Sequence, residues 1–197
     1  MRSRKSVPAS STKARQKKPA LSLSISAAAG KTYVPYVRKH LRAAHALLHP
    51  PLVELSLALV GDAKMSKLHE QFLGIPGPTD VLTFPLDTDD RDRPISGEVI
   101  LCVPEAKRRA RDHKHPVERE LLLYALHGLL HLCGHDDRTD AGYRRMHRAE
   151  DMILTELGVG PVFNPKRGSD PASQSGKTLK TSPRHRRSSA VSDGARR

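Results

Sequence analysis

Pro116-Val-Glu-Arg-Glu120-Leu-Leu-Leu-Tyr124-Ala-Leu-His127-Gly-Leu-Leu-His131-Leu-Cys133, closed by Gly134, is the stretch on which the reading of this chain turns. Leu121, Leu122, Leu123, Leu126, Leu129, Leu130 and Leu132 fall almost all round a helix drawn through it. That pattern predicts a buried helix rather than a surface one. Pro116 suits a helix start and Gly134 a helix stop. His127 and His131 are the polar residues set into this greasy cylinder, about 40° apart round the axis and one turn apart along it. Two imidazoles so placed can converge on one ion. One histidine on a buried helix is ordinarily a hydrogen-bonded core residue. The pair, followed at once by His135, Asp136 and Asp137 on a sharp turn, points instead to a metal site. Two imidazoles and a carboxylate suit zinc or another first-row divalent ion, and three protein ligands leave one position open to water. The His-x-x-x-His spacing is half of the zinc-hydrolase pattern, with Gly128 standing where that pattern carries its Glu base. Cys133 points elsewhere on the helix and is set aside as a ligand.

Upstream, residues 20–26 alternate apolar and small polar side chains at period two, which predicts a half-buried strand. Val34, Val37, Leu41, Ala44 and Leu48 recur at helical spacing until His49-Pro50-Pro51 stops them. Strands are expected over 52–60, 80–85 and 97–103, a short helix over 62–72 with Asp62 as its N-cap, and an acidic loop from Asp87 to Asp92. Pro104 opens a basic helix carrying Lys107, Arg108, Arg109, Arg111 and Lys114. Thr139 reads as the N-cap of a last helix whose apolar positions are Tyr143, Met146, Met152, Ile153 and Leu157. The fold class expected is α/β (α+β): a roughly four-stranded mixed sheet packed with four to five helices, with the metal site on the buried central one.

The 197 residues carry 34 Lys and Arg against 21 Asp and Glu, a net charge of +13. Divided along the chain, residues 1–18 hold +7, residues 164–197 hold +7, and the middle holds −1. Both ends are rich in Ser, Pro, Lys and Arg and too poor in large apolar groups to offset chain entropy. They are read as disordered basic tails, 1–18 and 164–197, flanking one domain over 19–163. Such tails suit counterion-releasing contact with phosphates. The first 18 residues are also acid-free like an organelle transit peptide. No apolar run approaches a membrane span, and two distant cysteines, Cys102 and Cys133, exclude a disulfide framework and fit a reducing, cytoplasmic compartment.

The run His127-Gly-Leu-Leu-His131-Leu-Cys-Gly134-His135-Asp136-Asp137 resembles the signature of the YbeY family of endoribonucleases, the rRNA maturation factors. Pro78-Thr79-Asp80-Val81-Leu82-Thr83-Phe84-Pro85 resembles a second family motif, Pro-Thr-Asp-Val-Leu-Ser-Phe-Pro. Gly97-Glu98-Val99 is similar to the family's strand start. Order and spacing agree over about residues 55–157. The resemblance implies one metal ion, usually taken as zinc, held by the three histidines of the signature. His127 and His131 match the first two, and the third falls on Asp137. A carboxylate there would add a negative charge and raise the pKa of a bound water relative to three neutral ligands. His135 is the competing third ligand, at a position where the family places none.

The resemblance also implies ribosomal RNA and the ribosomal small subunit as partners, with metal-assisted cleavage of single-stranded RNA in 16S-type rRNA maturation and ribosome quality control. The family arginine thought to serve cleavage falls on Leu73, which cannot stabilise phosphoryl charge. Lys107, Arg108 and Arg111 are the substrate-binding cations that would have to replace it. The general base is unassigned, the attacking group being a metal-bound water; Asp136 beside the site either accepts a proton or shapes the turn. Glu120, seven residues before His127 on the same face, is a candidate to steady a ligand. Two other readings compete: a non-catalytic ribosome-assembly or RNA-binding factor with a structural metal, and a peptide hydrolase, against which the missing Glu argues.

Overall fold

A computed structural model describes residues 20–162; both basic ends, 1–18 and 164–197, lie outside the described residues. The chain runs β1 (Ser22–Ala27), a short 3-10 turn (Lys31–Tyr33), α1 (Val34–Leu48), β2 (Glu54–Val60), α2 (Asp62–Leu73), β3 (Val81–Thr88), β4 (Pro94–Cys102), α3 (Val103–His113), α4 (Val117–Leu132) and α5 (Asp140–Glu156). The sheet order is β1-β2-β4-β3. β1, β2 and β4 are parallel, and β3 pairs antiparallel with β4. This is the mixed four-stranded α+β architecture that the pattern of the sequence predicts.

Alternation along the strands sends side chains to two cores, because successive residues of a strand face opposite sides. Leu55, Leu57, Leu59, Val99 and Leu101 join α1 and α4 in the larger core. Val60, Ile100, Cys102, Leu82 and Phe84 pack with Met65 and Leu68 of α2 in a smaller core of their own. β4 is buried on both faces over Val99 to Cys102 and is continuously apolar there, whereas β2 alternates buried and half-buried positions.

Helix α4 is the centre of the larger core. Leu121, Leu122, Leu126, Leu129 and Leu130 are wholly buried, as its leucine pattern predicts. Two glycines let it press close to the sheet. A Cβ on Gly128 would stand 2.7 Å from Val99 Cγ1 and 2.9 Å from Thr83 Oγ1, and one on Gly97 would meet Leu132 Cδ1 at 2.7 Å. The position that carries Glu in zinc peptidases therefore faces the sheet here and has no room for a side chain.

Three local expectations are corrected. The acidic loop is shorter than expected: β3 continues through Asp87 to Thr88 and β4 begins at Pro94, leaving residues 89–93 as the turn. Gly61, not Asp62, is the N-cap of α2; the Asp62 carboxylate instead accepts from the two terminal nitrogens of the Arg108 guanidinium, at 2.9 and 2.8 Å. Met152 is 61% exposed rather than an apolar contact of α5. Thr139 does cap α5, its hydroxyl accepting from the Gly142 amide at 3.1 Å.

Candidate active site

The last two turns of α4 and the turn beyond it bring His127, His131 and Asp137 together, with one ligand-type atom of each within 4.8 Å of the others. The two Nε2 atoms are 3.0 Å apart. Asp137 Oδ2 lies 3.6 Å from His127 Nε2, and its Oδ1 lies 3.8 Å from His131 Nε2. The rings stand nearly perpendicular, at 85°. Helical spacing puts the imidazoles on one face. The turn returns the carboxylate because Gly134, at φ +90°, takes a backbone conformation that a side chain resists.

Each imidazole is held from behind. His127 Nδ1 donates to Glu150 Oε1 at 2.8 Å, and His131 Nδ1 donates to the carbonyl of His135 at 3.1 Å. Carboxylate and carbonyl oxygens only accept, so both Nδ1 atoms carry hydrogen and both Nε2 atoms are left to share a common point. Two lone pairs 3.0 Å apart beside a carboxylate fit a divalent cation, with the outer partners fixing tautomer and ring orientation. Glu150 also accepts from His147 Nδ1 at 2.6 Å. Burial pushes the Glu150 carboxyl up, but the hydrogen bonds of His127 and His147 and their charges outweigh it and hold it at about 2. Burial lowers His127, yet the Glu150 hydrogen bond, with the charges of Glu150, Asp80 and Asp137, raises it overall. His131 is lowered, by burial and by the charge of His127.

Other predicted residues fall as follows. His135 offers its carbonyl to His131 and is absent from the converging set. Asp136 is claimed by Arg138, accepting from its backbone amide at 3.0 Å and from its guanidinium; that pairing lowers its carboxyl and makes it a turn former rather than a proton acceptor. Glu120 does not steady either histidine and instead lies 3.0 Å from His115. Arg108 is committed to Asp62 and Glu105, whereas Lys107 and Arg111 are exposed on α3. Leu73 is the last residue of α2, partly buried against the smaller core. Asp80 folds into the region, accepting from the Val81 amide at 2.8 Å, with its charge felt at His127.

Sequence reasoning missed Glu150. The signal was present: Gly142, Met146, Glu150 and Ile153 form the buried stripe of α5, and a carboxylate on such a stripe needs a partner.

Comparison with known proteins places the chain in a family. The family model described as Endoribonuclease YbeY matches residues 20–158. The Endoribonuclease YbeY of Desulfitobacterium hafniense is 35% identical over 126 residues, covering 60% of this chain and 80% of that protein. That of Acidothermus cellulolyticus is 39% identical over 116 residues, covering 53% and 71%. That of Moorella thermoacetica is 38% identical over 115 residues, covering 54% and 74%. A Thermotoga maritima protein solved in solution aligns with TM-score 0.50 and 26% identity, over 77% of this chain and 99% of that one. With the family model spanning residues 20–158 and these relatives in agreement, the chain belongs to the YbeY endoribonuclease family.

Proposed function

We propose that this protein is a metal-dependent endoribonuclease that cuts single-stranded RNA during maturation of small-subunit ribosomal RNA. The observation that carries the reading is the convergence of His127 Nε2, His131 Nε2 and an Asp137 oxygen within 4.8 Å of one another, on the fold of an endoribonuclease family. These three residues would hold one divalent ion, zinc by the chemistry of its donors. Such an ion, when bound, supplies Lewis acidity toward a phosphate oxygen and toward water.

The chain's own groups do the rest. Glu150 and the His135 carbonyl hold the two rings so that their Nε2 atoms need no reorganisation. Asp137 and Asp80 give the site negative character, which favours a cation and limits how closely a bare phosphate approaches. Exposed Lys107 and Arg111, together with the basic ends of the chain, supply phosphate contacts at a distance from the chemistry. The same partition makes residues 19–163 the catalytic domain and the ends its RNA-affinity elements, acting in a cytoplasmic setting.

Leu73 favours a second reading, a ribosome-assembly factor whose metal is structural, since no guanidinium stands at that position. One experiment separates the two. Full-length protein, stripped of metal and then restored with zinc, is incubated with a ribosomal RNA fragment. Cleavage that returns with zinc and is abolished in His131→Ala supports the nuclease. Zinc binding that raises the melting temperature without any cleavage supports the assembly factor.

A further inference from the structure

A second group of ligand-type side chains lies at the corner between α3 and α4. His113 ends α3, Lys114 turns the chain in a left-handed conformation (φ 56°), and His115 precedes Pro116, the N-cap of α4. Glu120 follows one turn into that helix. One ring nitrogen of each histidine and one Glu120 oxygen lie within 4.8 Å of one another. Glu120 and His115 are almost enclosed, with side chains 3% and 10% exposed. His113, by contrast, is at the surface.

The buried pair is unusual. His115 Nε2 sits 3.0 Å from Glu120 Oε2, yet the two are not aligned as donor and acceptor, and each is buried without a hydrogen-bond partner. His115 Nδ1 lies 3.1 Å from the Pro116 carbonyl, which only accepts, so the ring hydrogen belongs on Nδ1. A neutral ring then turns its Nε2 lone pair toward a carboxylate oxygen, an arrangement that repels unless positive charge lies between them. Burial already pushes the Glu120 carboxyl above its ordinary value, despite the opposing charge of His115, the Tyr124 hydroxyl beside it and the charges of His113 and Arg109. Arg109, the nearby guanidinium, points its Nε at Glu105, 3.3 Å away.

We propose that His113, His115 and Glu120 form a second divalent-cation site. Two imidazoles and one carboxylate, with a coordination position left open toward solvent beside His113, select a zinc-like first-row ion over calcium or magnesium. The site shares no residue with His127, His131 and Asp137, and Glu120 precedes His127 by about 10 Å along α4. A cation there ties the end of α3 to the first turn of the helix that carries both signature histidines.

The test is metal binding alone. Full-length protein is freed of metal with chelator and titrated with cobalt(II) chloride and zinc chloride, in wild type and in His131→Ala. The expected result is one equivalent persisting in His131→Ala, with the visible absorption of tetrahedral cobalt. Its affinity falls roughly 10–100-fold or more in His131→Ala combined with Glu120→Gln, and likewise with His113→Ala. His113 is exposed, so that variant folds even if Glu120→Gln does not. Absence of binding in His131→Ala, or binding indifferent to His113→Ala, overturns the proposal. RNA cleavage does not enter the readout, so the result stands apart from the catalytic reading.

Discussion

Glu150 Oε1 accepts the Nδ1 hydrogen of His127 at 2.8 Å, across 23 residues of sequence and from a different helix. A residue of α5 thus sets the tautomer and aim of an imidazole on α4. Glu150→Gln keeps the shape and one acceptor oxygen but removes the charge. It is expected to weaken zinc binding roughly 10–100-fold while leaving the helical circular dichroism unchanged. Competition with a chromogenic chelator measures the loss. Zinc affinity equal to wild type would show that the carboxylate is only a packing partner.

Asp137 and His135 make opposite predictions. Asp137 offers its carboxylate to both Nε2 atoms, whereas His135 reaches His131 only through a backbone carbonyl that any side chain would leave in place. In a His113→Ala background, which disables the site at the α3–α4 corner, Asp137→Ala is expected to lose the metal on chelator challenge, and His135→Ala to retain it. Elemental analysis of the two variants beside wild type decides between the two residues, and retention in Asp137→Ala would reverse the assignment.

Gly128→Ala runs against ordinary helix propensity. In an exposed helix the change stabilises by about 1 kcal/mol. Here the new Cβ would stand 2.7 Å from Val99 Cγ1, and overpacking of that kind costs about 1–3 kcal/mol. Urea denaturation is expected to show a net loss. A midpoint at or above wild type would mean that α4 and the sheet separate more easily than their packing suggests.

The Asp62–Arg108 pair predicts a pH dependence. Hydrogen bonds from Arg108 lower the Asp62 carboxyl below its ordinary 3.8, burial opposing them. A carboxyl depressed on folding stabilises fully above its unfolded value, and that contribution is lost as pH falls through the lower folded value. The side chains are 40% and 42% exposed, so Arg108→Leu should cost only about 1 kcal/mol at neutral pH. The difference from wild type should shrink as denaturation is repeated at pH values approaching 2. A difference independent of pH would assign the effect to packing of the arginine stem.

The legible parts of this molecule were those whose physics is local. The leucines around 121–132 announced a buried helix because burial on every side leaves no polar face, and the His127–His131 spacing is a property of that same helix. Thr139 was readable as a cap because its hydroxyl serves an amide three residues on. Where the reading failed, a distant partner had intervened. Asp62 looked like a helix cap until Arg108, 46 residues later, took its carboxylate. The acidic loop was drawn two residues too long because strand pairing at Asp87 and Thr88 depends on Ser96 and Pro94 across the hairpin. Glu120 and Glu150 exchanged apparent roles for the same reason. Position on one helix suggested the former, whereas packing between two helices selected the latter.

All three residues offered as ligands fall within eleven consecutive positions, but the carboxylate that braces the first of them arrives only at Glu150. Grafting the eleven-residue signature alone into another scaffold would therefore transplant the donors without their brace. A chain ending between 138 and 149 would likewise keep its histidines and lose their aim. Whatever selects for the signature must also select for α5, and the smallest heritable unit of this chemistry is a pair of helices rather than a motif.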